Sequence, residues 1–146
     1  MPTPRITARR GPAVTVLVAA VALLSACLGP QQETVRTEMN ADRVANGLSA
    51  LPVNYQAQAK AQAWAERLAR EQKLYHSNLP DGITQSWCSL GENVGYGPSV
   101  ASIQDAYMNS PGHRANILAS KWNGVGVGYA TNGRTVYTVQ VFIKAC

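Results

Sequence analysis

The sequence predicts an α+β domain, with helices packed on a small, mainly antiparallel sheet. Three observations carry this. Before residue 119 apolar residues recur at helical spacing, most clearly from Tyr55 to about Leu74. The chain then switches to period two: Val125, Val127 and Tyr129 alternate with Gly124, Gly126 and Gly128, and Tyr137, Val139, Val141 and Ile143 share one face. Between these runs, Asn132-Gly133 is the signature of a type I′ hairpin turn. Helices first and a hairpin last is the α+β pattern.

Residues 1–26 read as an export signal of the lipoprotein type. Arg5, Arg9 and Arg10 precede a 12-residue apolar run, Ala13 to Leu24, which has signal-peptide length and is short for a bilayer span. The run ends in Leu24-Ser25-Ala26-Cys27, which resembles the bacterial lipobox, where cleavage precedes a lipidated cysteine. The expectation is therefore a protein exported and anchored through Cys27 at the cell membrane, facing the outside or the periplasm, with ordinary secretion after cleavage near Ala26 as the alternative. Two or more acyl chains make a stable anchor. Residues 27–35 are then the anchor and a short tether, and 36–146 the domain.

Charge and cysteine usage agree with export. The whole chain carries +5, but three arginines leave with the signal, so the 120 residues from Cys27 onward carry about +2. That length suits one domain with a real core, expected to be a monomer. No basic block or basic-aromatic stripe remains, which argues against nucleic acid as a partner. Cys88 and Cys146 are an even pair in an oxidising compartment and predict a disulfide worth about 2–4 kcal/mol. Two cysteines alone make a poor zinc site.

Each element has its own signal. From Thr34 a helix is expected, with Ala41, Val44, Ala45 and Leu48 as its inner stripe, a stop at Asn46-Gly47, and Asn40 and Arg43 solvated or locally bonded. Pro52 breaks the chain and Asn54 caps the next helix, whose apolar face is Ala57, Ala61, Trp64, Ala65 and Leu68. Glu66 with Arg70, and Arg67 with Glu71, are i,i+4 pairs on its other side. Residues 77–90 lack periodicity and read as a loop, leading to a glycine-rich turn at Gly91-Glu92-Asn93. A third helix starts at Pro98-Ser99 and buries Val100, Ile103 and Tyr107. Ser110-Pro111 restarts a short helix, with Ser110 as N-cap and His113 in its first turn, where the helix dipole disfavours imidazolium. The glycine face of the strand from Gly124 suits close approach of another backbone.

Candidate chemistry rests on His76, Glu92 and His113. A neutral histidine is a competent metal ligand or proton acceptor, and two histidines with one carboxylate are a known zinc ligand set. Taken singly, two of the three have a plainer reading: His76 as a solvent-facing or helix-dipole-pairing residue past a helix end, Glu92 as an exposed turn residue.

Six motifs in order resemble a known family: Gly47-Leu48-x-x-Leu51, the alanine-rich helix leading to His76, Gly91-Glu92-Asn93-Val94, Tyr107-Met108-Asn109-Ser110-Pro111-Gly112-His113-Arg114, Gly124-Val125-Gly126-Val127-Gly128, and Val139-Gln140-Val141-Phe142. Together they look like the bacterial branch of the CAP superfamily, or SCP domains, which includes cysteine-rich secretory proteins, antigen 5 and plant pathogenesis-related class one proteins. The resemblance covers about residues 36–146. It implies a CAP-type α-β-α sandwich with a cleft of two histidines and acidic residues that binds a divalent metal such as zinc in some members. His76, Glu92 and His113 match those cleft positions. The chain also departs from the pattern. The second cleft glutamate of animal and plant members has only Asn109 and Ser110 near its place, their His-Tyr-Thr-Gln becomes His113-Arg114-Ala115-Asn116, and the tryptophan common before Ser-Pro-Gly-His is Tyr107. Sterol binding and other activities proposed for eukaryotic relatives are not carried over.

The functional expectation is a non-enzymatic, surface-anchored binding domain whose cleft takes a divalent metal, a lipid or another cell-envelope ligand. Two alternatives stand beside it. One is a metal-dependent hydrolase or protease, or a Ser110–His113–Glu92 triad; against these, His-Glu-x-x-His and Gly-x-Ser-x-Gly are both absent. The other is a purely structural or partner-binding envelope module in which the polar residues tie the loops together.

Overall fold

The computed structural model describes residues 28–146, so the signal segment and Cys27 lie outside the described residues. The elements are α1 (Pro30–Ala45), α2 (Tyr55–Glu71), β1 (Trp87–Gly97), α3 (Val100–Met108), α4 (Pro111–Ile117), β2 (Gly124–Asn132) and β3 (Thr135–Ala145). The strands form one antiparallel sheet in the order β1-β3-β2. Side chains alternate across a strand, so β3 feeds two cores. Tyr137, Val139, Val141 and Ile143 pack with the Ala57, Ala61, Ala65 and Leu68 face of α2. Val136 and Phe142, on the opposite face, pack with residues of α1, α3 and α4. The result is the α-β-α sandwich expected from the resemblance.

The bare face of β2 is filled by helix backbone. A Cβ on Gly126 would lie 2.0 Å from the Ala57 carbonyl carbon, and one on Gly128 would lie 2.1 Å from the Ala61 carbonyl oxygen. This approach brings two glutamines of α2 onto the outer edge of the strand. Gln58 donates to the Val127 carbonyl and accepts from its N–H, and Gln62 does the same at Tyr129. Side-chain amides thus continue the ladder on an edge that would otherwise expose unpaired backbone.

Several elements differ from expectation. α1 begins at Pro30, so most of the expected tether is helix; the Gln32 side chain accepts from the Gly29 N–H at 2.7 Å and Pro30 sits at a position that needs no donor. Its inward face is Val35, Met39, Asn40 and Arg43, while Val44 is 59 % exposed. The expected stripe of Ala41, Val44, Ala45 and Leu48 is therefore not the buried one. Asn40 and Arg43 face inward because they have carbonyl partners there: Asn40 exchanges hydrogen bonds with both backbone groups of Leu51, and Arg43 bonds Ser49, Ile117 and Ala119. Burial also lowers the proton affinity of the Arg43 guanidinium.

α2 stops at Glu71, where Gln72 takes a left-handed conformation at φ 50°. Asn54 caps its start as expected, accepting from the Ala57 N–H. The Arg67–Glu71 pair forms, whereas Glu66 accepts from Gln62. Residues 87–97 are a full strand rather than a loop and turn, because the glycines let neighbours close on it: Trp122 at Gly91, Tyr107 and Ile103 at Gly95. The hairpin turn is one residue later than predicted. Asn132 pairs with Thr135, leaving Gly133 and Arg134 as the two-residue loop, and only Gly133 has positive φ. Glycine first with a single positive φ is the type II′ pattern, not I′. The Cys88–Cys146 disulfide is present, with Cα atoms 5.4 Å apart, closing a 58-residue separation.

Candidate functional site

The cleft expected from the resemblance corresponds to a polar cluster at the β1 edge of the sheet. Glu92 lies mid-strand, opposite Val141, on the same face of β1 as Val94 and hence toward α2. The chain leaving α2 passes over it. His76 Nδ1 lies 2.8 Å from Glu92 Oε1, the Ser77 N–H donates to the same oxygen at 2.9 Å, and the Ser77 hydroxyl donates to Oε2 at 2.6 Å. The Glu92 side chain is 1 % exposed; that of His76 is 61 % exposed. A carboxylate accepts, so Nδ1 of the neutral His76 ring carries the proton and Nε2 presents its lone pair. His76 is thus solvent-facing yet locked in orientation.

His113 reaches the same edge from the other side of the sheet. α4 packs with the Tyr107 core, and the His113 ring lies 5.0 Å from the Tyr107 ring. Its Nδ1 pairs with the Ser110 hydroxyl at 2.9 Å. The expected N-cap role of Ser110 is not taken up: its side chain makes no cap bond and serves the imidazole instead. His113 binds protons less readily than an ordinary imidazole, chiefly through desolvation and secondarily through the nearby His76 charge. The expected bias toward the neutral form is present, and burial is its leading cause.

Glu92 and His76 are therefore in direct contact, and His113 stands across the strand with its own partner. Among the described residues no group of three His, Cys, Asp or Glu side chains is placed to hold a metal ion. The physical reason is the pleat: Glu92 points to the α2 face while α4 packs on the opposite one, and three protein donors already occupy the carboxylate. The donor set does not suit a three-ligand ion including Glu92. Hydrogen bonds engage both Nδ1 atoms, and among the described residues no protein group bonds either Nε2. The Ser110–His113–Glu92 triad is not assembled either, since the carboxylate orients His76 and not His113.

Sequence reasoning gave the polar residues beneath the cleft no role in it. Asn93, on the face of β1 opposite Glu92, donates to the His113 carbonyl and to Gln140 Oε1. Asn116 donates to the Glu92 carbonyl and to Asn93 Oδ1, and its own carbonyl accepts from Trp122 Nε1. The available signal was Gln140 itself, a polar residue inside the otherwise apolar run Val139 to Ile143. Arg43 belongs here as well. Only 2 % exposed, it donates to the Ile117 and Ala119 carbonyls and so holds the C-terminal end of the helix that carries His113. Beside the cleft, a groove of about 450 Å³ runs between α2 and residues 77–82, walled by Lys60, Trp64, Arg67, Ser77 and Asp81.

Comparison with known proteins agrees with this architecture. The profile of the cysteine-rich secretory protein family, CAP, matches residues 37–142. The uncharacterized protein YkwD of Bacillus subtilis (strain 168) is 26 % identical over 147 residues, covering 94 % of this chain and 57 % of its own length. The chain thus spans little more than half of that relative. An outer surface protein of Borrelia burgdorferi superposes with a TM-score of 0.70 at 18 % identity, over 80 % of this chain and 93 % of its own. A cysteine-rich secretory protein of Staphylococcus aureus gives 0.66 at 22 % identity, over 78 % of this chain and 38 % of its own. At these identities the likeness to solved structures shows the fold. Among the described residues no helix is long and apolar enough to cross a membrane.

Proposed function

Since the chain belongs to the cysteine-rich secretory protein (CAP) family, we propose that it is an extracellular-type CAP domain acting by binding rather than by catalysis, with His76 and His113 as the groups that contact the ligand. The observation that carries this reading is His76: 61 % exposed, yet tied at Nδ1 to a buried carboxylate. A histidine that merely fills surface needs no such anchor. Glu92 and Ser110 are the orienting groups, and the ligand meets imidazole Nε2 atoms. A divalent cation such as zinc would be held by the two imidazoles, with Glu92 supplying orientation and basicity from outside the coordination sphere.

The test is a zinc titration of residues 28–146 at pH 7.5, followed by the ring nitrogen resonances. Zinc should shift Nε2 of both histidines. His76→Ala should abolish the response, and Glu92→Gln should weaken affinity by about 10–100-fold while leaving the ligand atoms in place. Unmoved ring resonances at saturating zinc would replace this reading with a structural one, in which the polar groups only join the loops.

The same proposal places the domain at a membrane through lipid on Cys27, supported by the lipobox-like Leu24-Ser25-Ala26-Cys27. Cys27→Ser in the full chain should release the protein from the membrane fraction or leave it unprocessed. Unchanged partitioning and mobility after globomycin treatment would refute the anchor.

A further inference from the structure

The buried amides form a chain with a single direction. Asn116 Nδ2 donates to Asn93 Oδ1 at 3.0 Å, Asn93 Nδ2 to Gln140 Oε1 at 3.0 Å, Gln140 Nε2 to Gln104 Oε1 at 2.8 Å, and Gln104 Nε2 to Asp42 Oδ2 at 2.7 Å. The chain runs from the cleft, through the core between β3 and α3, to a half-buried carboxylate on α1. Asn93 and Gln140 are wholly buried and Gln104 nearly so, and no buried side-chain polar atom among the described residues lacks a partner.

We infer that Asp42 is a remote positioning residue for the cleft: as the acceptor at the end of this amide chain, it fixes the chain's direction from one end, as the His113 and Glu92 carbonyls do from the other, and thereby supports the seating of α4 and β1. An amide can be turned over, exchanging its donor and acceptor, but an ionised carboxylate only accepts. Reversal would bring Gln104 Oε1 against the Asp42 carboxylate, Asn93 Oδ1 against the His113 carbonyl and Asn116 Oδ1 against the Glu92 carbonyl, three contacts between acceptors. The observed direction avoids all three. It lets Asn93 hold the His113 carbonyl at 3.2 Å while Asn116 holds the Glu92 carbonyl at 3.2 Å. Glu92, which orients, and His113, which contacts the ligand, are thus joined by backbone to one network, and its charged end lies on another helix. Buried polar networks of this kind specify one arrangement when every member is satisfied.

The inference rests on the cleft reading, but its test is read without ligand. Asp42→Ala should shift the side-chain amide resonances of Gln104, Gln140, Asn93 and Asn116 and the ring resonances of His113, and speed exchange of the Asn93 side-chain protons. Asp42→Glu, which keeps a carboxylate that only accepts, should restore the wild-type pattern, whereas Asp42→Asn, an amide that can be turned over, should restore it only in part. Zinc affinity should fall roughly tenfold in the alanine variant and recover in the glutamate variant. Should the alanine variant not fold, the wild type carries the test: couplings across the hydrogen bonds should run from Gln104 Nε2 to the Asp42 carboxyl carbon and from Asn93 Nδ2 to the Gln140 and His113 carbonyl carbons. Absence of these couplings, or an alanine variant whose cleft resonances match the wild type, would overturn the inference. A wild type that ignores zinc sinks the ligand reading alone, because the resonance and coupling tests stand without it.

Discussion

His76 and His113 carry the same ring in opposite circumstances. His76 is open to solvent and held by a charge; His113 is half-buried and held by a hydroxyl. Desolvation, with the neighbouring His76 charge, lowers the proton affinity of His113 below the ordinary imidazole value of 6.5. The unfolded chain then binds the proton more readily than the folded one, so stability declines as pH falls through 6.5 and levels off once the folded-state value is passed. A proton titration followed at His113 Hε1 should give a midpoint below 6.5. The stability of a His113→Gln variant should depend less steeply on pH across that window. A midpoint at or above the ordinary value would mean that α4 does not shelter the ring. Protonation at either histidine should also release a bound cation, since a ligating imidazole must be neutral.

At the scale of elements, the contact between β2 and α2 is the closest approach at any glycine among the described residues. Gly126→Ala places a methyl group 2.0 Å from the Ala57 backbone, where no flexible side chain can yield. The helix must move off the strand, which also breaks the Gln58 and Gln62 bonds to the β2 edge. Overpacking of this kind costs about 1–3 kcal/mol, occasionally more, and urea denaturation should show it as a drop in midpoint. Gly133→Ala is a useful contrast. No atom lies within 4 Å of its added Cβ, but φ is +59°, so its cost is backbone strain alone. If the two substitutions cost the same, the glycines of β2 are not there for close packing.

For the whole molecule, the disulfide fastens the last residue of the chain to the start of β1, five residues before Asn93 and four before Glu92. Closing a loop of this length removes unfolded-state entropy worth about 4 kcal/mol in the chain-entropy description. A Cys88→Ser, Cys146→Ser variant should lose stability of that order while keeping the imidazole resonances in place, because the cleft's hydrogen bonds do not include either cysteine. Loss of the cleft signals before global unfolding would show that the bridge also sets the register of β1.

The sequence alone determined the parts governed by local chemistry. The alanine face of α2, its Asn54 cap, the alternation of β3, the bare face of β2 and the Cys88–Cys146 pairing each follow from residue type and spacing, and the structure has them all. It also named His76, Glu92 and His113, through motifs whose order matched a family. Only the tertiary structure decided what those residues do to one another. Glu92 faces α2 because a strand alternates its side chains, and β1 is a strand because it pairs with β3, far along the chain, while Trp122, Tyr107 and Ile103 close over its glycines. The same holds for Arg43 and Asn40. Their place on α1 read as solvated or locally bonded, and they turned inward because carbonyls from residues 49–51 and 117–119 wait there. A polar side chain goes where its partner is, and the partner's position is a property of the assembled fold rather than of the neighbouring sequence.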